Sequence, residues 1–491
     1  MDIRSVVKKI VPTELFRKIE PLGHWGEAVA ENIVFGFPSR GLKVIGVTGT
    51  DGKTSTSTLI TQMLRNAGYK VAMMTTISVD YGDGKGEIPN PTRLTTMGSK
   101  DLLQKIKRIK QNNVDYLVLE TTSHALAQHR VWGVPYTVSA MTNVGHEHLD
   151  YHKTFERYRD AKRMLFKQTN ANKNGLQIGI ANADDPSGDL FASDIANPVT
   201  YGIKKGDLRA TDIKLTPSGS TYTARIAARL ENEDRRLKKI QTEKSPIPNP
   251  QSSILEVEEY KINCHLPGSF NVYNSLAAVG VGRALGLTKE QIEKGIDSLK
   301  SVEGRMTRVD EGQDFAVIVD YAHTPESFDK ILDELRPLTK GKMIAVFGSA
   351  GRRDEVKRAQ QGKIAGKHCD VVIATEEDDR DIDGQEILDQ IASGAVESGK
   401  IIDKDLYLIH DREKAVEFAI NMAKKGDIVV LLGKGHEKSI LYNGPDAAKH
   451  RKEVQNDSDP KRVLKRDYDE VTVARTAIKA KNPKVGAFTK D

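Results

Sequence analysis

Short apolar runs alternate with stretches of helical spacing along most of this 491-residue chain. The first series predicts strands at Lys43–Val47, Lys70–Met74, Tyr116–Glu120, Thr137–Thr142 and Gln177–Ala181, and helices at Thr54–Asn66, Ser99–Gln111 and Phe155–Gln168. Such alternation implies a mostly parallel sheet with helices on both faces. Asp80–Pro91, rich in glycine and proline, reads as a loop. Residues 203–265 change character: Thr211–Ala228 alternates polar with apolar positions, as antiparallel strands do, and Glu231–Ser253 is a polar, proline-bearing insertion. After Leu266-Pro267-Gly268 a second series begins. It predicts helices at Val272–Leu285, Lys289–Leu299, Pro325–Leu335, Glu355–Lys367, Gln385–Glu397 and Arg412–Lys424. Its strands are expected at Phe315–Val319, Met343–Phe347, Asp370–Ala374 and Ile428–Leu432.

The fold class expected is α/β, with a central doubly wound parallel sheet and a smaller, Rossmann-like C-terminal domain. The divisions read from the sequence are a short helical segment 1–41, a central domain 42–265 with an insertion at about 231–253, a second domain 266–475 and a basic tail 476–491. The N-terminal segment is expected to pack on the central domain; a basic amphipathic helix lying on a membrane surface is the alternative.

Composition narrows the function classes. Hydrophobic residues make up 38% and charged residues 29%, as in a soluble globular protein. A net charge of +6 is small for this length and makes no case for nucleic acid. Lys461–Asp491 holds nine Lys/Arg against four Asp/Glu, and reads as a solvated tail. Two distant cysteines, Cys264 and Cys369, form neither a metal spacing nor a disulfide framework, which suits a reducing cytoplasm. No apolar run is long enough for a transmembrane helix, and the N-terminus lacks a signal-peptide core.

The chemistry centres on Val44–Thr56, VIGVTGTDGKTST. A strand stops at Thr48, a turn carries Gly49 and Gly52, and Lys53-Thr54-Ser55 opens a helix. This is the layout of a phosphate-binding loop, as in P-loop ATPases: backbone N–H groups and a helix N-terminus face an anion, a lysine reaches the outer phosphates and a hydroxyl meets magnesium. The glycines Gly46, Gly49 and Gly52 are spaced by threes, unlike the usual loop.

Other polar stretches sit where strands end, the rim on which such sheets bind ligands. Glu120-Thr121-Thr122-Ser123-His124 offers a carboxylate for magnesium, although alone it would be a better N-cap. Thr142–His152 packs three histidines and two acids into eleven residues, without the cysteines of a structural zinc site. Tyr158-Arg159-Asp160-Ala161-Lys162 lies on a predicted helix, where a lysine is ordinarily solvated, and Asn182-Ala183-Asp184-Asp185-Pro186 has the composition of a turn. In the second domain Glu303-Gly304-Arg305-Met306, Asp320–Pro325, Phe347–Asp354 and Gly433-Lys434-Gly435-His436-Glu437 form a comparable polar edge.

Taken in order, these stretches resemble the Mur ligases, the ATP-dependent amide-forming enzymes of peptidoglycan precursor synthesis, and most closely the branch that adds the third residue of the stem peptide. The likeness is carried by GVTGTDGKTS, ETTSHALAQHRV, TNVGHEHLDYH, YRDAKRMLF, ANADDP, LPGSFNVYNSLAA, EGRM, DYAHTPES, FGSAGRRDEVKR and GKGHE. It implies that Gly49, Thr50, Asp51, Gly52, Lys53, Thr54 and Ser55 hold the phosphates of ATP. It implies Mg2+ at Thr54, Glu120, His148 and a carbamylated Lys162, with Lys53, Glu120, His148 and Lys162 as the catalytic set. Asn182, Asn271, Asn274, Arg305 and Asp320 match positions around adenine, ribose and phosphate. Thr95, Thr96, Thr122, Ser123, Gln128 and Arg130 match those holding the muramoyl-dipeptide. Arg353, Arg380, Gly433 and Glu437 match the pocket of the incoming amino acid. The implied reaction adds meso-diaminopimelate or L-lysine to UDP-MurNAc-L-Ala-D-Glu through an acyl phosphate, with two domains closing to exclude water.

The sequence departs from the family at three places. Only residues 1–41 precede the first strand, where the family has a UDP-binding domain, and Phe35–Arg40 resembles the end of that domain. An acceptor without UDP, as for folylpolyglutamate synthase or a lipid II-modifying ligase, is therefore a second expectation, and a non-catalytic nucleotide-binding subunit a third. The family's Asp-Asn-Pro-Arg falls at Glu377-Asp378-Asp379-Arg380, where only the arginine is kept. Its arginine would pair with a carboxylate of diaminopimelate, while the acids from Glu376 to Asp379 suit an extra amine. Lastly, Glu147 and Arg352 stand where the family has aspartates.

Overall fold

A computed structural model describes residues 13–90, 95–227, 257–351, 355–380, 382–442 and 464–481. The described residues form two compact units, the first from those within 1–214, 221–264 and 270–299, the second from those within 215–220, 265–269 and 300–491. The division expected at 265/266 is thereby moved. Helices Phe270–Ala284 and Lys289–Ser298 pack on helix Lys53–Asn66 of the first unit.

The first unit holds β1 (Val44–Thr48), β2 (Val71–Met74), β3 (Ser78–Asp80), β4 (Ile88–Pro89), β5 (Tyr116–Glu120), β6 (Tyr136–Met141), β7 (Ile178–Asn182), β8 (Asn197–Gly202), β9 (Leu208–Thr216), β10 (Gly219–Ala227) and β11 (Val257–Cys264). They form one sheet in the order β11-β10-β9-β8-β7-β6-β1-β5-β2-β3-β4. From β2 to β9 across the centre the pairs are parallel. Every residue of β1, β5 and β6 is buried, as expected of strands covered on both faces. β1 lies between β5 and β6, with Val47 level with Glu120 and Ala140. The chain leaves β1 toward one edge and returns on the other side at β6, so the carboxyl end of β1 is a switch point where ligands of such sheets bind.

Two predicted features change here. The loop expected at Asp80–Pro91 contributes to β3 and β4, which extend the sheet in antiparallel fashion. The alternating segment forms β9 and β10 and prolongs this same sheet. The insertion at 231–253 lies outside the described residues. A helix, Thr13–Val34, packs on helix Ser99–Gln111, and Asn32 Nδ2 donates to the carbonyl of Trp132 at 3.1 Å.

The second unit contains β12 (Thr307–Arg308), β13 (Ala316–Asp320), β14 (Met343–Phe347), β15 (Val371–Ala374), β16 (Leu406–Leu408), β17 (Ile428–Leu432), β18 (Ser439–Tyr442) and β19 (Leu464–Asp467). The main sheet runs β12-β13-β17-β14-β15-β16, parallel except for β12. Its helices start where the sequence places caps: Pro325 follows Thr324, whose hydroxyl accepts from Ser327 N, and Asp411 caps Arg412–Met422. The expected basic tail is in part structure. β19 pairs with β18, and helix Glu470–Lys481 buries Ala474, Ala477 and Ile478 in the unit's core. Its basic residues leave an apolar stripe at helical spacing, which the overall charge concealed.

Candidate active site

Three glycines spaced by threes serve two different ends. Gly46 lies inside β1, where a Cβ would come 2.7 Å from the Tyr136 ring, so its role is packing. Gly49 (φ +152°) would bring a Cβ within 1.8 Å of Thr142 Oγ1, and Gly52 (φ +79°) within 2.2 Å of Asn274 Oδ1. The end of β6 holds the loop between them. Thr142 Oγ1 donates to the Asp51 carbonyl at 2.6 Å, Thr50 N donates to the Asn143 carbonyl at 2.8 Å, and Asp51 N donates to Asn143 Oδ1 at 3.0 Å. Helix Lys53–Asn66 then starts at Gly52 without a side-chain cap. Lys53, Thr54 and Ser55 form its first turn, at the end whose N–H groups and dipole favour an anion.

Two lysines converge on this loop. Lys53 Nζ donates to the carbonyls of Gly49 at 3.0 Å and Thr50 at 2.6 Å, and Lys162 Nζ donates to the same Gly49 carbonyl at 2.6 Å. Lys162 is 2% exposed. Burial, then the charge of Lys53, holds its pKa well below the ordinary lysine value, although Glu147 and Asp51 oppose this. The site thus pairs one ammonium with an amine driven toward neutrality. Tyr158, one helical turn before Lys162, puts its ring 4.4 Å from Nζ. Its hydroxyl lies 3.0 Å from Thr50 Oγ1 and donates to Glu147 Oε2 at 3.3 Å. His148 Nε2 is 3.7 Å from that carboxylate, with the His148 backbone at φ +56°.

Glu120 closes β5 and is wholly buried. Its Oε2 accepts from Thr76 N at 2.9 Å and Thr76 Oγ1 at 2.7 Å, whereas Oε1 has no hydrogen-bond partner. A buried carboxylate oxygen left in this state fits a hard cation, which takes oxygen ligands. The residues expected around the acceptor gather at the same strand end. Thr95 Oγ1 is 3.0 Å from Thr76 Oγ1; Thr96 Oγ1 donates to the Glu120 carbonyl at 3.0 Å and accepts from Thr122 N at 3.1 Å. Arg130 donates to the Thr96 carbonyl at 2.9 Å and to Gln128 Oε1, and Ser123 Oγ meets His152 Nε2 at 3.1 Å. Asn182, Asn271 and Asn274 are buried braces. Asn182 Nδ2 donates to the Thr142 carbonyl at 2.7 Å, Asn274 Nδ2 to Asn271 Oδ1 at 2.8 Å, and Thr56 Oγ1 to Asn274 Oδ1 at 3.3 Å.

The second unit gathers its own set. Asp320 accepts from Met306 N at 2.7 Å and Ala322 N at 2.8 Å, and Arg305 lies 5.2 Å from the Tyr321 ring. Arg380 (φ +58°) donates its N–H to the Leu441 carbonyl at 3.1 Å. Lys434, wholly buried, donates to Asp378 Oδ1 at 3.0 Å and Glu437 Oε2 at 2.7 Å. Burial works against its charge, but Asp378 and Glu437 outweigh it and hold the ammonium above the ordinary lysine range. Gly433 (φ +102°) faces Glu377, whose Oε2 is 2.8 Å from where a Cβ would sit. Arg353 lies outside the described residues. Behind this loop Glu376 accepts from Tyr442 OH at 2.6 Å, Arg466 Nη2 at 2.7 Å and Arg412 N at 3.2 Å, while Asp379 Oδ2 pairs with His410 Nε2 at 2.7 Å. Together they form an ion-pair network that braces the loop.

Several of these contributors were not among the expected site residues. Tyr158 had a signal, since positions four apart on a helix share a face with Lys162. Asn143 and Lys434 lay in stretches singled out at strand ends but without a role of their own, and Thr76 had no signal, because its partner Glu120 comes from a distant strand.

Known proteins resemble this chain over most of its length. Residues 47–282 match the family described as Mur ligase middle domain, and residues 304–435 the one described as Mur ligase, glutamate ligase domain. A UDP-N-acetylmuramyl-tripeptide synthetase of Roseiflexus sp. (strain RS-1) is 38% identical over 420 residues, 83% of this chain and 76% of the relative. A UDP-N-acetylmuramoyl-L-alanyl-D-glutamate--2,6-diaminopimelate ligase of Bacillus licheniformis is 37% identical over 84% of this chain and 77% of its own length. Among solved structures, a ligase of that same name superposes with a TM-score of 0.61 at 27% identity, covering 90% of this chain and 79% of the other. The MurF ligase of Thermotoga maritima in complex with ADP shares the fold, with a TM-score of 0.55 at 18% identity over 94% of this chain and 84% of the other.

Proposed function

The chain belongs to the Mur ligase family and is an ATP-dependent ligase, and from that premise we propose that it adds a diamino acid, meso-diaminopimelate or L-lysine, to UDP-MurNAc-L-Ala-D-Glu. The observation that carries the reading is the convergence of Lys53 and Lys162 on the Gly49 carbonyl beside an uncapped helix start. Lys53 beside the uncapped helix start suits a polyanion, which a triphosphate supplies, and Lys162 brings to the same carbonyl an amine that burial drives toward neutrality. The names of the Roseiflexus and Bacillus relatives support the acceptor, and the ADP held by the Thermotoga ligase supports the nucleotide.

In this reading an oxygen of the acceptor's carboxylate attacks the γ-phosphorus and the bond to ADP breaks, leaving an acyl phosphate. The amine of the incoming amino acid attacks the acyl carbon, phosphate departs with the bonding pair, and the amine loses a proton. Lys53 turns from the loop carbonyls to the transferring phosphoryl group and offsets its charge. Thr54, Glu120, His148 and a carbamylated Lys162 would hold Mg2+, which when bound neutralises charge on the phosphates. Lys162 fits the carbamate because burial favours its neutral amine, the form that adds carbon dioxide with loss of a proton. Thr95, Thr96, Thr122, Ser123, Gln128 and Arg130 orient the acceptor, and Arg380, Gly433 and Glu437 the amino acid. Among the described residues no helix is long and apolar enough to cross a membrane. A cytoplasmic monomer is part of the proposal.

The test is phosphate release and product mass with ATP, magnesium, UDP-MurNAc-dipeptide and each amino acid in turn, alongside acceptors lacking UDP. Turnover with a diamino acid on the UDP acceptor is expected. No release with any amino acid overturns the reading, and full turnover by Lys162→Ala overturns the role given to that lysine.

A further inference from the structure

Glu147, which stands where the family has an aspartate, is joined to the phosphate loop through one buried side chain. Tyr158, on helix Phe155–Ala171, is wholly buried in a core cluster with Met141, Val144 and Phe166, so its hydroxyl stands at a fixed point. Two groups meet it there. Thr50 Oγ1 of the phosphate loop lies at 3.0 Å and Glu147 Oε2 at 3.3 Å. Thr50 Oγ1 in turn accepts from the Gly145 backbone N–H at 2.8 Å.

The donors available give this row one direction. A carboxylate only accepts, so Tyr158 gives its single hydroxyl hydrogen to Glu147. The Thr50 hydroxyl must then donate to Tyr158, while its oxygen takes the Gly145 N–H. The row runs from Gly145 through Thr50 and Tyr158 to Glu147, and each bond polarises the next. It pins Thr50 by its side chain. The Thr50 backbone N–H is held by the Asn143 carbonyl at 2.8 Å, and the Thr50 carbonyl accepts from Lys53 Nζ at 2.6 Å. At its other end the row anchors Glu147 next to His148, a non-glycine residue at φ +56° that relies on its neighbours to stay there.

Reach decides whether the row exists. An aspartate in place of Glu147 withdraws the carboxylate by about 1.5 Å, one carbon–carbon bond, and a contact already at 3.3 Å does not survive that. A glutamine keeps the reach and an accepting oxygen without the charge. We propose that Glu147 and Tyr158 are positioning residues for the phosphate loop, acting through Thr50, and that this chain uses the length of Glu147 rather than its charge. The proposal rests on the ATP-binding part of the ligase reading. It makes the family's own aspartate the wrong residue at 147 in this chain.

The test compares Tyr158→Phe, Glu147→Asp and Glu147→Gln in the full chain. Hydrogen exchange of the free protein, read on peptides spanning 49–53 and 142–148, should quicken about 5-fold in Tyr158→Phe and Glu147→Asp, as for the loss of one hydrogen bond, and stay near wild type in Glu147→Gln. In turnover with ATP, magnesium, acceptor and amino acid, the first two should raise KM for ATP about 5-fold, with kcat and KM for the acceptor within about twofold, and Glu147→Gln should follow wild type. A general loss of packing would move all these constants together. Three results each overturn the proposal: Glu147→Asp behaving as wild type, Glu147→Gln failing as badly as Glu147→Asp, or Tyr158→Phe unchanged in both measurements. Glu147 is half-exposed, so its two variants serve should Tyr158→Phe not fold. Wild type that turns over no ATP fails at the ligase reading itself, while exchange in the free protein still decides between these outcomes.

Discussion

Replacing Gly49 by alanine tests the phosphate loop as a piece of stereochemistry. The added Cβ would stand 1.8 Å from Thr142 Oγ1 and 3.2 Å from the Asn143 backbone nitrogen, at φ +152°. The threonine hydroxyl must turn away and give up its 2.6 Å bond to the Asp51 carbonyl, a loss of about 1 kcal/mol. Holding a non-glycine residue at this φ adds about 1–2 kcal/mol. A total of about 2–3 kcal/mol is therefore expected. Trp25 and Trp132, the two tryptophans of the chain, both belong to the first unit, so urea unfolding followed by tryptophan fluorescence reports on this unit alone. Thr142→Ala removes the clashing hydroxyl, and the double variant should be less destabilised than the sum of the single ones by about 1 kcal/mol. Nucleotide affinity should fall about 10-fold or more in Gly49→Ala, because Thr50 and Asp51 lose their register on Asn143. The reasoning fails if Gly49→Ala unfolds within about 0.5 kcal/mol of wild type, or if its effect simply adds to that of Thr142→Ala.

Three further outcomes are expected. Glu120→Gln, which replaces the unpaired Oε1 by an amide, should lower kcat/KM about 100-fold while leaving thermal stability near that of wild type; magnesium titration of turnover checks it, and an unchanged magnesium dependence speaks against the metal role. Glu470→Gln leaves the guanidinium of fully buried Arg412 without its carboxylate and should cost about 3–5 kcal/mol, read from hydrogen exchange in β14. Glu377 titrates near 7 in the fold against an ordinary 4.5, so between these values the folded state keeps a proton that the unfolded chain has released. Wild-type stability should thus fall by about 3 kcal/mol relative to Glu377→Gln as pH rises through that window, then level off; β14 hydrogen exchange across pH measures it, and a pH-independent difference would contradict the assignment.

Much of the fold was legible because its cues are local. The apolar run Val44–Val47, the turn glycines and Lys53-Thr54 mark strand, loop and helix within a dozen residues, and caps such as Thr324-Pro325 announce helix starts. Tyr158 and Lys162 share a helix face by spacing alone. The family likeness then matched residues to roles that no periodicity carries. Net charge, in contrast, misled over residues 464–481, because a count of lysines does not show that Ala474, Ala477 and Ile478 form a stripe to be buried.

What only the folded chain decided concerns partners far apart in sequence. Helices Phe270–Ala284 and Lys289–Ser298 follow a break that looks like a boundary, yet they pack with the first unit. Whether a carboxylate is spent or spare depends on which donors arrive from other strands. Glu376 is taken up by Tyr442, Arg466 and Arg412, while its neighbour Glu377 keeps an oxygen with no partner. In the sequence the two are adjacent, identical acids. Local propensity sets the elements, but charge pairing and desolvation are properties of the space between elements, and that space exists only after they have packed.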